Sequence, residues 1–248
     1  MPTITPMTST AATLTDAAAA AVPDAALAMM WLASPALPVG GFSYSEGLEA
    51  AVEAGIVTGE QQALAWLRTQ LQLTQARSEL PAAWAAHAAW SVADAVTLRA
   101  VQDWVLCTRE TAELRQQSLQ MGRSMLDWLR NLHPGHPLLP LAAELAPAPA
   151  WPLAFALGAV ASGLDAARTV QALAFSWLEN QVQAAMRVIP LGQNAGQRLL
   201  AALVPEIPAA VEQARNLRGR MDEWQSYSPL LAILSSRHEA QYSRLFRS

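Results

Sequence analysis

From residue 24 onward apolar residues recur at three- and four-residue intervals, and no stretch alternates as a half-buried strand does. Asp24 can cap a first helix running to about Ala33. Pro35 and Pro38 then force an extended connection, because the residue before a proline avoids the α region. Ser43 with Glu46, and Thr58 with Gln61, have capping-box spacing. The first pair predicts a short helix that Gly55 stops; the second opens a helix with Leu64, Leu67 and Leu71 on one face. Further helices are predicted over residues 80–90, 94–106, 109–132, 151–162, 166–188 and 193–203, with a few shorter ones after them. Pro134, Pro137, Pro147, Pro149 and Pro152 punctuate the middle of the chain, and Pro190 ends the helix before it. In the 166–188 helix Leu173, Trp177, Leu178 and Val188 fill one face while Phe175 and Met186 lie on the other. A helix apolar nearly all round belongs in the middle of its fold. The pattern predicts a single compact all-α domain of about 9–11 helices over residues 24–248. Residues 1–23, mostly Thr, Ala and Pro, read as a flexible N-terminal tail.

Composition strengthens the helical reading: 51 Ala and 35 Leu stand against 14 Val and 5 Ile. A net charge of −4 argues against a nucleic-acid binder that works by neutralising phosphates. All 16 basic residues are Arg. A P-loop needs a Lys for the β- and γ-phosphates and a Schiff base needs a Lys amine, so both activities are excluded for this chain. Cys107, the single cysteine, rules out an intramolecular disulfide, and its apolar neighbours Trp104, Val105 and Leu106 predict an inert core thiol. Residues 1–15 carry no positive charge, unlike a signal peptide. The uncharged stretches 25–45 and 145–164 are broken by Pro and Gly, so no membrane span is expected and the reading is a cytoplasmic protein.

Candidate chemistry is sparse. His133-Pro134-Gly135-His136 could bring two imidazoles to one ion, but two ligands do not close a site, and a surface turn is expected. This pair, with His238 as a third candidate ligand, is the basis of a rival reading as a helical nickel carrier. His87, beside Trp84 and Trp90, reads as a core or surface imidazole. His238-Glu239-Ala240-Gln241-Tyr242 lacks the second His of a zinc-protease helix, which rejects that class. Its spacing instead sets His238, Tyr242, Leu245 and Phe246 on one face of a C-terminal helix, and Arg237, Gln241 and Arg244 on another. Such a helix folds back or docks into a partner groove. No G-x-S-x-G occurs, and Glu46, Glu49, Glu53, Glu110 and Glu113 are spaced like solvated helix faces. A helical hydrolase or lyase, the second rival, therefore has no complete constellation. Arg215, Arg218 and Arg220 read as a solvated cluster. Two segments are harder to read as core: the apolar loop Leu32–Ser45 with its Gly40–Gly41 pair, and Glu113–Arg123, which carries Arg115, Gln116, Gln117 and Arg123. Gly122 inside that helix costs about 1 kcal/mol against Ala, which predicts a close approach there, within the domain or across a subunit interface.

The loop L-A-S-P-A-L-P-V-G-G-F-S-Y-S-E-G-L-E (Leu32–Glu49) resembles the N-terminal signature of the urease accessory protein UreF family. Three later segments agree: R-Q-Q-S-L-Q-M-G-R (Arg115–Arg123), V-I-P-L-G-Q-N-A-G-Q-R-L-L (Val188–Leu200) and S-R-H-E-A-Q-Y-S-R-L-F-R-S (Ser236–Ser248). The likeness spans residues 25–248 in the family's order; the Thr/Ala-rich start and the lack of Lys are departures from it. The resemblance implies an all-helical, dimer-forming maturation factor without catalytic activity or a cofactor of its own. It would bridge UreD (also called UreH) and the GTPase UreG in the complex that loads nickel into urease, and control when the GTPase turns over. It further implies that the C-terminal segment 236–248 docks onto UreD. On face periodicity and the matched tail, Arg237, His238, Tyr242, Arg244 and Phe246 are expected to face UreD. Tyr44, Ser45, Arg115, Gln116 and Arg123 are expected to line the dimer or UreG-facing surface.

Overall fold

Side-chain caps and prolines set most of the helix boundaries. A computed structural model describes residues 24–248; the predicted tail 1–23 lies outside the described residues. Twelve α-helices follow one another: α1 (Ala25–Leu32), α2 (Leu48–Glu53), α3 (Glu60–Gln70), α4 (Leu80–Ser91), α5 (Ala95–Cys107), α6 (Ala112–Leu132), α7 (Leu139–Ala143), α8 (Trp151–Ala161), α9 (Ala166–Val188), α10 (Gln193–Leu203), α11 (Ile207–Leu217) and α12 (Pro229–Glu239). A π-helical stretch, Leu71–Glu79, joins α3 to α4, and one 3-10 turn, Val204–Glu206, joins α10 to α11, so the twelve form ten uninterrupted rods. No strand occurs among the described residues. Asp24, Asp94, Thr111 and Asp165 each accept a backbone N–H in the first turn of α1, α5, α6 and α9.

Neither predicted capping box forms. The cap of α2 is Gly47, at φ 77°, and that of α3 is Gly59, without a side-chain hydrogen bond. Glu46 is unavailable because its carboxylate turns inward to Gln117 and Trp177. Gly55 does end α2, at φ 69°, as its position predicts.

α9 runs through the middle, against α1, α4, α8, α10 and α11. Its Val170, Leu173, Leu178 and Val182 are buried, as expected for a helix apolar nearly all round. α4, with Ala82, Ala83, Ala86 and Ala89 all buried, packs against α8, and Trp90 Nε1–H donates to the Leu153 carbonyl at 2.9 Å. The close approach predicted at Gly122 lies within the domain: a Cβ there would overlap the Pro149 carbonyl oxygen at the entry to α8. The subunit-interface alternative for this glycine is therefore corrected. Cys107 is also corrected: it is exposed at the end of α5, because the helix turns Leu98, Val101 and Val105 inward instead.

Candidate functional site

The C-terminal segment is where the structure departs most from the periodicity. α12 ends at Glu239, and residues 240–248 run back across the loop before α2 rather than continuing as a helix. Backbone groups of the tail find partners there that a helix would deny them. Arg247 N–H donates to Ser43 O at 2.9 Å, while Ser45 N–H and Ser45 Oγ donate to Ser248 O at 2.8 and 2.6 Å. Glu49 Oε1 accepts from Leu245 N–H at 2.8 Å, and its Oε2 accepts from Phe246 N–H at 3.0 Å. His238, fully buried, places Nε2 3.2 Å from Glu49 Oε2 and Nδ1 2.7 Å from Glu113 Oε2. An imidazolium satisfies both contacts with its two N–H donors. Arg244 closes the cluster with an ion pair to Glu113.

A second polar row lies beneath the tail. Glu46 sits at φ 51°, an uncommon conformation for a residue with a side chain. Its Oε1 accepts from Gln117 Nε2 at 2.7 Å and its Oε2 from Trp177 Nε1 at 2.9 Å; Gln117 Oε1 accepts from Ser248 Oγ at 2.7 Å. Burial pushes the Glu46 carboxyl above the usual carboxylate range, with the bonds from Trp177 and Gln117 opposing. Burial also raises Glu110 and the Tyr44 phenol, the latter opposed by Arg247. Arg187, near the end of α9, donates from Nη1 to Phe42 O at 3.1 Å and lies 6.0 Å from the Phe246 ring centroid.

The expected site residues divide by burial. His238 and Phe246 are inside, 0% and 4% exposed, so they can shape a UreD-facing surface but cannot line it. Arg237, Tyr242 and Arg244 are exposed above them. Tyr44 and Ser45 are likewise buried under the tail, whereas Arg115, Gln116 and Arg123 stand on the exposed side of α6. Sequence reasoning missed the organising acids: Glu46, Glu49 and Glu113 were expected in solvent, yet they hold the tail. The one hint was that Glu46 closes an uncharged run from Ala25 to Ser45.

His133 and His136 occupy a tight turn, His136 N–H donating to His133 O at 2.9 Å, and burial with His133 nearby lowers the His136 imidazole. His87 is a core residue, with Nε2 2.8 Å from Leu164 O. Among the described residues no three His, Cys, Asp or Glu side chains are placed to hold a metal ion, and no helix is long and apolar enough to cross a membrane.

Three of the four signature segments thus meet at one place, through Ser45, Glu46 and Glu49, through Gln117, and through residues 238–248, and the fourth begins beside Arg187. A family model for UreF matches residues 57–204. The chain belongs to the UreF family. The urease accessory protein UreF of Paracidovorax citrulli (strain AAC00-1) is 57% identical over 224 residues, covering 90% of this chain and 88% of that protein. That of Methylibium petroleiphilum is 56% identical over 224 residues, covering 90% and 93%. A bifunctional urease accessory protein UreEF of Bordetella bronchiseptica is 43% identical over 226 residues; these cover 89% of this chain but 51% of the longer relative. UreF proteins are urease accessory proteins, and the all-α architecture accords with that family.

Proposed function

We propose that this chain is a non-catalytic scaffold and regulator of urease maturation. It bridges UreD (UreH) and the GTPase UreG in the cytoplasmic complex that inserts nickel into urease, and it acts as a homodimer. The observation that carries the reading is the convergence of the family's signature segments on a folded-back C-terminal tail. That convergence builds a shaped exterior, not a pocket of reacting groups. The lack of any Lys is consistent with it, since nucleotide must then be held by a partner. Arg237, Tyr242 and Arg244 form the UreD-facing surface, held from within by His238 and Phe246. Arg115, Gln116 and Arg123 on α6 form the dimer or UreG-facing surface, with Tyr44 and Ser45 fixing the loop beside it. The fused relative supports a further association with UreE in the same assembly. The nickel-carrier alternative through His133 and His136 has less behind it, since no third ligand joins the pair among the described residues.

The test is capture of UreD from urease-expressing cells by the full chain and by an Arg237→Ala/Tyr242→Ala variant. Both side chains are exposed, so the helical circular dichroism should not change, while capture falls by about tenfold or more if they are interface hot spots. Capture equal to the unaltered chain rejects the assignment of this surface.

A further inference from the structure

Trp177, Glu46, Gln117 and Ser248 form one hydrogen-bonded row from the central helix to the end of the tail. Its direction is set at one end, because an indole N–H only donates. With Glu46 ionised the Trp177 indole, the Gln117 amide and the Ser248 hydroxyl each donate to an acceptor along the row, and Gln117 is turned with its carbonyl oxygen toward the Ser248 hydroxyl. A proton on Glu46 belongs on the oxygen that faces Gln117, since the other accepts from Trp177. The Gln117 amide must then turn over to offer its oxygen to Glu46. Ser248 now meets an N–H₂ group, and its own hydroxyl proton loses the acceptor it had.

We propose that Glu46 is a proton-operated catch for the C-terminal tail: the docked tail requires Glu46 as a carboxylate, and protonation loosens Ser248 from α6. The catch is a property of this chain alone and holds whether or not the tail meets UreD.

Three features support it. A cleft of about 70 Å³ opens beside Glu46, room for roughly two waters at about 30 Å³ each. Ser78, 1% exposed, lines that cleft with a hydroxyl that has no protein partner, so water there has a polar wall and a route to the carboxyl. Burial raises the Glu46 carboxyl, which sets where the group titrates; the sign of the coupling comes from the donor direction of the row. The charged groups around it are Glu79 on the π-helical stretch and Arg109 and Glu110 on the loop before α6; Arg247 on the tail faces Tyr44 instead. Glu79 pushes Glu46 further up and Arg109 opposes; these two are paired with each other. On the far side of the tail Glu49, His238 and Glu113 also hold it, so a Glu46 variant is the proper reference.

Linkage makes the catch reciprocal: if the docked tail favours ionised Glu46, weakening the tail's hold must raise the pH at which Glu46 titrates. The experiment follows the Glu46 carboxyl by carbon-13 NMR in the full chain and in Ser248→Ala, and the pH profile of proteolytic cleavage within residues 240–245 in the full chain and in Glu46→Gln. Ser248→Ala should raise the Glu46 midpoint by about half a pH unit or more. Tail cleavage in the unaltered chain should accelerate severalfold as pH falls through that midpoint, whereas in Glu46→Gln it is fast throughout and lacks that step. An unmoved midpoint in Ser248→Ala, or superimposable cleavage profiles, overturns the proposal. Should Glu46→Gln fail to fold, the Ser248→Ala titration decides alone.

Discussion

Glu49→Gln removes the charge that anchors the tail while keeping the size of the side chain. The carboxylate now accepts from Leu245 N–H, Phe246 N–H and His238 Nε2. An amide keeps one oxygen and turns an NH₂ toward the remaining donors, so at least one hydrogen bond to a charged acceptor is lost and one buried N–H is left facing another. Hydrogen bonds to charged groups contribute about 1.5–3 kcal/mol each, and an unsatisfied buried donor costs about 1–3 kcal/mol. The tail keeps its other contacts, among them Arg247 N–H to Ser43 O and Ser248 Oγ to Gln117, and its buried Phe246, so these defects weaken its docking without freeing it outright. A net loss of about 3 kcal/mol in docking corresponds to roughly a hundredfold loss of protection. Hydrogen exchange at the Leu245 and Phe246 amides reads this directly. Those two amides should lose about two orders of magnitude of protection in Glu49→Gln while amides in α9 keep theirs. Unchanged protection at 245 and 246 would show that Glu49 does not hold the tail, and the reasoning would fail.

Gly122→Ala should lower stability by about 1–3 kcal/mol, seen in a thermal melt, because the new Cβ meets backbone at Pro149 rather than a yielding side chain; Gly135→Ala, in open space, is the matched control. Cys107 should react stoichiometrically with a thiol reagent in the native protein, since it is exposed; reaction only after unfolding would contradict its placement. Arg115→Ala or Arg123→Ala should leave the fold intact and weaken self-association or GTPase recruitment by about 2 kcal/mol or more, measured by sedimentation and pull-down. Normal assembly by both variants would remove α6 from the proposed surface.

Helix bounds were legible wherever local chemistry decides them. Asp165 and Pro190 frame α9, and the prolines before Trp151 frame the start of α8, so these elements fall where the pattern predicts. The first capping box failed because the Glu46 carboxylate has partners far along the chain, Gln117 and Trp177. The same cause ended the C-terminal helix early. A spacing that puts His238, Tyr242 and Phe246 on one face says nothing about Glu49, which lies almost 200 residues before Phe246 and takes its amide. Glu46, Glu49 and Glu53 at three- and four-residue intervals look like a solvated face; only the folded chain separates the first two, which hold the tail, from Glu53. Gly122 was legible as a close approach but not as to what approaches. The exposed arginines on α6 and in the tail were readable as surface because long cationic side chains are rarely buried without partners.

The most direct measurement of the central claim mixes the purified chain with purified UreD and UreG and follows assembly by size exclusion, with GTP hydrolysis recorded alongside. The account predicts a ternary complex that needs this chain to form, and no hydrolysis by this chain alone. UreD and UreG joining equally well without it, or GTP turned over by the isolated chain, would contradict it.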